Sequence, residues 1–284
     1  MKEEKEKEKG HQDSLTLMLL GGGVRITAFI GALFALEEMG LNINKIVGAS
    51  GGSIIASFYA KGKSLKEIKK IAMEVDTEKF KDFSISSLIR NKGFYEGKIL
   101  EDWVDEMLEG SRFCDDFKIP LSVIATDILN QTPFVFNRSN CPELKVSRAI
   151  RFSVGIPWVF AYEHFYDHGK KHIFIDGNLM SGIIEDRFMK EGKTLILKIV
   201  SKNVSVQPIT TDLTLKRYLH SLLLIMLDAL EKERIETNRW KNTIIISCDD
   251  IPPTKFSITA NEKEYLFEQG YQQVKKYLTY KWEF

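Results

Sequence analysis

Ser50 stands at the centre of Gly48-Ala49-Ser50-Gly51-Gly52, a G-x-S-x-G pentapeptide that follows the short run Lys45-Ile46-Val47. A serine on a tight strand-to-helix turn presents its hydroxyl as a nucleophile, and the flanking glycines are required where no Cβ fits between turn and neighbouring backbone. The same turn leaves the Gly51 amide at a helix N-terminus, where free N–H groups and the helix dipole favour negative charge. Taken alone, the pentapeptide also fits a packing turn or a phosphate-binding loop.

A second glycine cluster, Gly21-Gly22-Gly23-Val24-Arg25, follows the apolar run Leu15 to Leu20. Its backbone amides, with that of Gly51, can converge on the oxyanion that forms during acyl transfer. Each such donor is typically worth about 10²–10³ in rate. Arg25 holds this loop in shape, attracts an anionic head group, or is an ordinary surface cation at the start of a helix. A dinucleotide-binding fingerprint fails, because Ile26 stands where its third glycine belongs and no acidic ribose ligand follows at the expected distance.

An activated serine needs a base. His11 lies in a charged leader, His164, His168 and His172 crowd a polar hairpin-like turn, and His220 sits within an apolar helical stretch. No histidine occupies the late loop position that a Ser-acid-His triad requires. Asp176 is better placed, since it ends the strand-like run Ile173 to Ile175 and precedes Gly177-Asn178, a pair that tolerates positive φ. From there a carboxylate can face Ser50 and take the hydroxyl proton directly. With an ordinary pKa near ~3.9, such a base leans on the oxyanion loop and on positioning.

These residues need a scaffold. Leu15–Leu20 reads as a buried strand, 26–39 as a helix capped by Gly40, 45–47 as a second strand and 53–60 as a buried helix. Strand, helix, strand, helix implies a right-handed crossover and a parallel sheet with helices on both faces. Further strands are expected at 121–126, 134–136, 173–175, 195–200 and 243–247, and helices at 147–154, 213–240 and 262–278. The expectation is one α/β domain over 14–284, a three-layer α/β/α sandwich around a mainly parallel central sheet. Residues 1–13 are expected to form a charged, disordered tail.

Composition narrows the class. The chain has 284 residues, 44% of them hydrophobic, and a formal net charge of +1, which gives no footprint for nucleic acid. Three widely spaced cysteines offer neither a disulfide framework nor a zinc-ligand spacing. There is no apolar segment of signal-peptide form at the N-terminus, and the longest apolar runs are too short to span a bilayer. A cytoplasmic protein, soluble or peripherally membrane-associated, is expected. Leu215, Leu219, Leu222, Leu223, Met226 and Leu230 make a broad apolar face that packs on the sheet or lies on a membrane.

Together the three clusters resemble the patatin-like phospholipases, which pair a glycine-rich oxyanion loop with G-x-S-x-G and a later Asp-Gly-Gly/Ala. The likeness extends to Gly93-Phe94-Tyr95-Glu96-Gly97, to Ala149 through Ile156-Pro157 and Phe160, and to 260–278. What the resemblance implies is a Ser50–Asp176 dyad that hydrolyses lipid acyl esters without metal or cofactor. Ile26 and Asn178 depart from the pattern, replacing a glycine and a Gly/Ala. An aromatic-rich segment (Trp158, Val159, Phe160, Tyr162, Phe165, Tyr166) lines an acyl groove or fills core. Two other readings stay open at this point: a lipid- or partner-binding protein of this fold with little activity, and a His-dependent serine esterase. Substrate, acyl length and oligomeric state are left undetermined.

Overall fold

A computed structural model of the chain describes residues 15–201 and 242–281, with 214, 217–219, 221–222 and 225–226 between them. The N-terminal tail, His11, His220 and most of the helix expected over 213–240 lie outside the described residues. Of that helix, 217–219, 221–222 and 225–226 are helical.

An eight-stranded sheet organises the chain, in the order β10-β9-β1-β2-β4-β8-β7, with β5 also paired to β4. The strands are β1 (Leu15–Leu20), β2 (Ile43–Ala49), β4 (Leu121–Asp127), β5 (Thr132–Asn137), β7 (His164–Asp167), β8 (Lys170–Ile175), β9 (Thr194–Val200) and β10 (Thr243–Ser247). From β10 to β4 all pairings are parallel. Beyond β4 they turn antiparallel, because β4–β5 and β7–β8 are joined by hairpins rather than crossovers. Two short strands, β3 (Gly93–Tyr95) and β6 (Trp158–Phe160), pair with each other apart from this sheet. The mainly parallel sheet expected from the sequence is present, with this antiparallel extension added.

Alternation along β1 explains the layers. Leu15, Leu17 and Leu19 join the larger core, while Met18 and Leu20 join a smaller one on the opposite face. The larger core is covered by α1 (Thr27–Glu38), α2 (Gly51–Lys61) and α8 (Ala260–Lys281), and the smaller by Ile184 and Phe188 of α7 (Ser181–Glu191). α1 and α8 meet at Gly31 and Gly270. A Cβ on Gly31 would overlap the Phe267 carbonyl, and one on Gly270 the Ala28 carbonyl. Two glycines thus let two helix backbones touch.

The remaining helices are α3 (Leu65–Glu74), α4 (Ile85–Asn91), α5 (Lys98–Met107) and α6 (Val146–Ser153). Arg151 of α6 is buried and its Nε donates to the Glu96 carbonyl at 3.1 Å, while its NH2 group donates to the Ala161 carbonyl. One guanidinium therefore ties the residue after β3 to the residue after β6. Gly97, at φ 75°, leaves room for it, since a Cβ there would strike the Arg151 head group.

Candidate active site

Ser50 sits between β2 and α2 with φ 54° and ψ −136°. Positive φ is costly for a side-chain-bearing residue, by about 1–3 kcal/mol, and persists where the surroundings enforce it. Here the Ser50 amide donates to Ser153 Oγ at 2.9 Å, and the Ser50 carbonyl accepts from Ser53 N at 2.9 Å and Ser53 Oγ at 2.6 Å. Gly48 and Gly52 are needed for packing: a Cβ would overlap Ser53 in the first case and the Leu19 carbonyl in the second.

The Ser50 hydroxyl donates to Asp176 Oδ2 at 2.6 Å. Ser50 is 4% exposed and Asp176 2%. Asp176 follows β8, and each of its polar atoms has a partner. Its amide donates to the Gly155 carbonyl at 2.9 Å, its carbonyl accepts from Thr126 Oγ1 at 2.9 Å, and Oδ1 accepts from the Asn178 amide at 2.8 Å. Burial pushes the Asp176 carboxyl up to about 6, against the opposing pull of the Ser50 and Asn178 hydrogen bonds. The ordinary carboxylate pKa assumed from sequence therefore does not apply, because desolvation penalises the ionised form.

The Asp176-Gly177-Asn178 turn also differs from its sequence reading. Neither Gly177 nor Asn178 adopts positive φ; both lie in a single 3-10 turn whose N-cap is Asp176. Gly177 is required for a different reason, since a Cβ there would overlap the Ile124 carbonyl on β4. Asn178 places its carboxamide against Gly21 and so closes the turn onto the glycine loop.

In that loop Gly21, Gly22 and Gly23 have φ of 78°, 97° and 55°. The Gly21 amide donates to the Ala49 carbonyl at 3.1 Å and its carbonyl accepts from the Gly52 amide at 2.9 Å. Gly21 thus locks the loop to the nucleophile turn, and its N–H is already occupied. Among the described residues, the amides of Gly22, Gly23 and Gly51 have no hydrogen-bond partner, and Gly23 and Gly51 line the pocket at Ser50. These two residues abut: a Cβ on Gly51 would overlap the Gly23 carbonyl and lie 3.1 Å from the Gly23 amide nitrogen.

Arg25 is fully buried, so neither a surface cation nor a head-group receptor describes it. Its Nε donates to the Gly22 carbonyl at 3.1 Å, and its NH1 group donates to Ser201 Oγ at 2.6 Å. It shapes the loop from beneath. Ile26, the departure from the family pattern, lines the pocket and touches the position that a Gly51 Cβ would take.

The pocket beside Ser50 is apolar. Its lining includes Ile26, Ile54, Val75, Phe80, Leu100, Trp103, Val154, Ile156, Phe160, Pro253 and Phe256. Of the six residues in the aromatic-rich segment, Phe160 alone lines it. Phe165 stacks among Phe136, Phe152 and Phe174 in the core, while Trp158 and Tyr166 are exposed. Trp103 and Phe256 were not singled out in the sequence; helical spacing marks Trp103 as core, and Phe256 lies in an irregular segment without pattern.

Of the histidines, His172 is buried with its Nδ1 2.6 Å from Asp127 Oδ2 and its ring stacked on Phe174. It is thus not the solvated hairpin residue expected. His168, at φ 47°, forms the exposed β7–β8 turn with Gly169. No histidine lines the pocket among the described residues, and no cluster of three or more His, Cys, Asp or Glu there could hold a metal ion. Nor, among them, is any helix long and apolar enough to cross a membrane.

Comparison with known proteins places this architecture. The chain is 30% identical over 278 residues to the uncharacterized protein YqhO of Bacillus subtilis, covering 91% of this chain and 96% of that one. Its fold is similar to VipD from Legionella pneumophila (TM-score 0.60, 16% identity, 95% of this chain and 67% of that one). It is also similar to ExoU of Pseudomonas aeruginosa, solved with SpcU (TM-score 0.53, 18% identity), where it covers 94% of this chain and only 52% of the other. The family model for patatin-like phospholipase matches residues 17–188, which include both Ser50 and Asp176, and the chain belongs to that family.

Proposed function

We propose that the protein is a serine hydrolase of lipid acyl esters that works through a Ser50–Asp176 dyad. The observation that carries this reading is the 2.6 Å hydrogen bond from Ser50 Oγ to Asp176, with Ser50 lining an apolar pocket. In acylation, Oγ bonds to the ester carbonyl carbon as its proton passes to Asp176. Negative charge moves onto the carbonyl oxygen, which accepts from the amides of Gly23 and Gly51, with Gly22 adjoining. The tetrahedral adduct collapses, the C–O bond to the alcohol breaks, and Asp176 returns the proton to the departing alkoxide. Water then repeats the sequence at the acyl carbon and restores the Ser50 hydroxyl.

The raised pKa of Asp176 suits this role, because a base near 6 accepts a serine proton more readily than one near ~3.9 while staying ionised at neutral pH. The lipid part of the reading rests on the pocket's apolar lining and on family membership. A fluorophosphonate probe tests it: the protein should label, and Ser50→Ala should not. Absence of labelling in the native protein would favour a lipid-binding protein of the same fold. Among the described residues the His-dependent esterase has no support, as His172 is committed to Asp127 and Ser50 to Asp176.

A further inference from the structure

The segment between Phe80 and Leu100 holds apolar side chains out in water. α4 buries none of its residues; Ile85 is 65% exposed and Ile89, one turn further on, 66%. Four-residue spacing puts both on one helix face. Phe83, just before the helix, is 60% exposed. The backbone here is well tied: the Ser84 amide donates to the Phe94 carbonyl at 3.2 Å, and Asn91 and Tyr162 exchange two hydrogen bonds of 3.0 Å. Asp82 holds the end of the segment, accepting from the Gly97 amide at 2.7 Å and the Ile99 amide at 3.1 Å. The isoleucines are therefore presented to solvent by a fixed frame, at an unfavourable hydration free energy.

Charge and position identify what would cover them. From Phe83 to Tyr95 there are two cations, Arg90 and Lys92, both exposed. The carboxylates that flank this stretch are engaged locally, Asp82 with the Gly97 and Ile99 amides and Glu96 with the Ser87 hydroxyl at 3.0 Å. Phe80 and Leu100, which bracket the segment, line the Ser50 pocket, and Phe160, paired across β3–β6 with Tyr95, lines it too. The patch thus adjoins residues that line the pocket. One short helix face is small against the roughly 800 Å² per partner of a stable protein interface. Apolar side chains with adjoining cations suit the boundary between head groups and acyl chains.

We infer that residues 83–95 dock on an anionic phospholipid surface, with Ile85 and Ile89 entering the head-group boundary and Arg90 and Lys92 facing its phosphates. This rests on the reading that the Ser50 pocket takes lipid esters, which the docked surface would deliver to the pocket wall.

Sedimentation of the full chain with vesicles tests the inference. Native protein should bind vesicles containing phosphatidylglycerol and bind phosphatidylcholine vesicles about tenfold more weakly. Ile85→Ser/Ile89→Ser should lower binding to the anionic vesicles by at least about tenfold. Arg90→Gln/Lys92→Gln should remove the preference for the anionic vesicles. Both variants should keep native melting temperatures and native rates on a soluble short-chain ester. The inference is overturned if native protein does not bind the anionic vesicles, or if the double Ser variant binds them equally. It is also overturned if the native protein is a dimer that this variant dissociates, since a second copy then covers the patch. Vesicle binding that depends on Ile85 and Ile89 without any ester hydrolysis would sink the hydrolase reading alone and leave the docking surface standing.

Discussion

Ser153 bridges the nucleophile turn to the sheet: its Oγ accepts from the Ser50 amide at 2.9 Å and donates to the Ile124 carbonyl at 2.6 Å. All three groups are buried, so Ser153→Ala takes the acceptor from the Ser50 N–H and one donor from the Ile124 carbonyl. The expected cost is about 1–3 kcal/mol of stability. With the strained Ser50 backbone less firmly held, labelling by a fluorophosphonate should slow by about tenfold or more without vanishing. Thermal unfolding and labelling rate, measured together, check both halves; an unchanged labelling rate would reduce Ser153 to a packing residue.

The raised pKa of Asp176 sets a pH profile. In the proposed mechanism Asp176 must be ionised to accept the Ser50 proton, so labelling and kcat/KM should rise with pH through about 6 and level above it. A rise completed near the ordinary carboxylate value would mean that burial does not govern this group.

The same shift carries a stability cost. Asp176 has its pKa raised from 3.8 to about 6 in the fold, so the folded state holds the proton more tightly than the unfolded one. The favourable contribution is complete below the unfolded value and is lost as pH rises through about 6. Above that pH the buried charge weighs against folding. Asp176→Asn should therefore abolish labelling yet raise stability at pH ~8, by on the order of 2–3 kcal/mol, with a smaller gain at pH ~4. Denaturant unfolding at the two pH values separates this outcome from simple loss of a partner for Ser50, which would lower stability at both.

Much of this site can be read from residue order alone, for physical reasons. Parallel buried strands are continuous apolar runs, and glycines mark the turns where backbones touch, so β1, β2, the glycine loop and the Ser50 turn stand out locally. Asp176 stands out because it ends a strand at Asp-Gly. What the chain order hides is set by long-range approach. Gly177 looks like a flexible turn residue and is needed instead because β4 passes against it. Arg25 looks like a surface cation until the burial around Ser201 and Ile251 is known. His172 shares its polar neighbourhood in sequence with His168, yet strand alternation turns it inward to Asp127. Phe256 reaches the pocket from a segment with no periodicity at all.

Gly177 offers a test of that long-range constraint. A methyl group there would overlap the Ile124 carbonyl, so Gly177→Ala must displace either β4 or the Asp176 turn. A loss above about 2 kcal/mol is expected, with labelling reduced as Asp176 leaves the Ser50 hydroxyl. Gly192→Ala is the control, because nothing lies within 4 Å of its added Cβ, and it should change stability by less than about 0.5 kcal/mol. Equal effects at the two positions would mean that the turn accommodates a side chain.

The apolar pocket predicts how rate depends on acyl length. Each methylene that leaves water for the lining of Ile54, Val75, Trp103 and Phe256 contributes about 0.8 kcal/mol, or roughly fourfold in kcat/KM, until the pocket is filled. A series of p-nitrophenyl esters should show that climb and then a plateau. Val75→Trp fills part of the pocket, so it should move the plateau to shorter chains while sparing acetate and butyrate esters. In the proposed mechanism the dyad and the oxyanion amides act on the ester group of every member of the series, so damage to them should lower all chain lengths by one factor. Should Val75→Trp depress short and long esters equally, the pocket would not hold the acyl chain, and a different surface would have to supply the length preference.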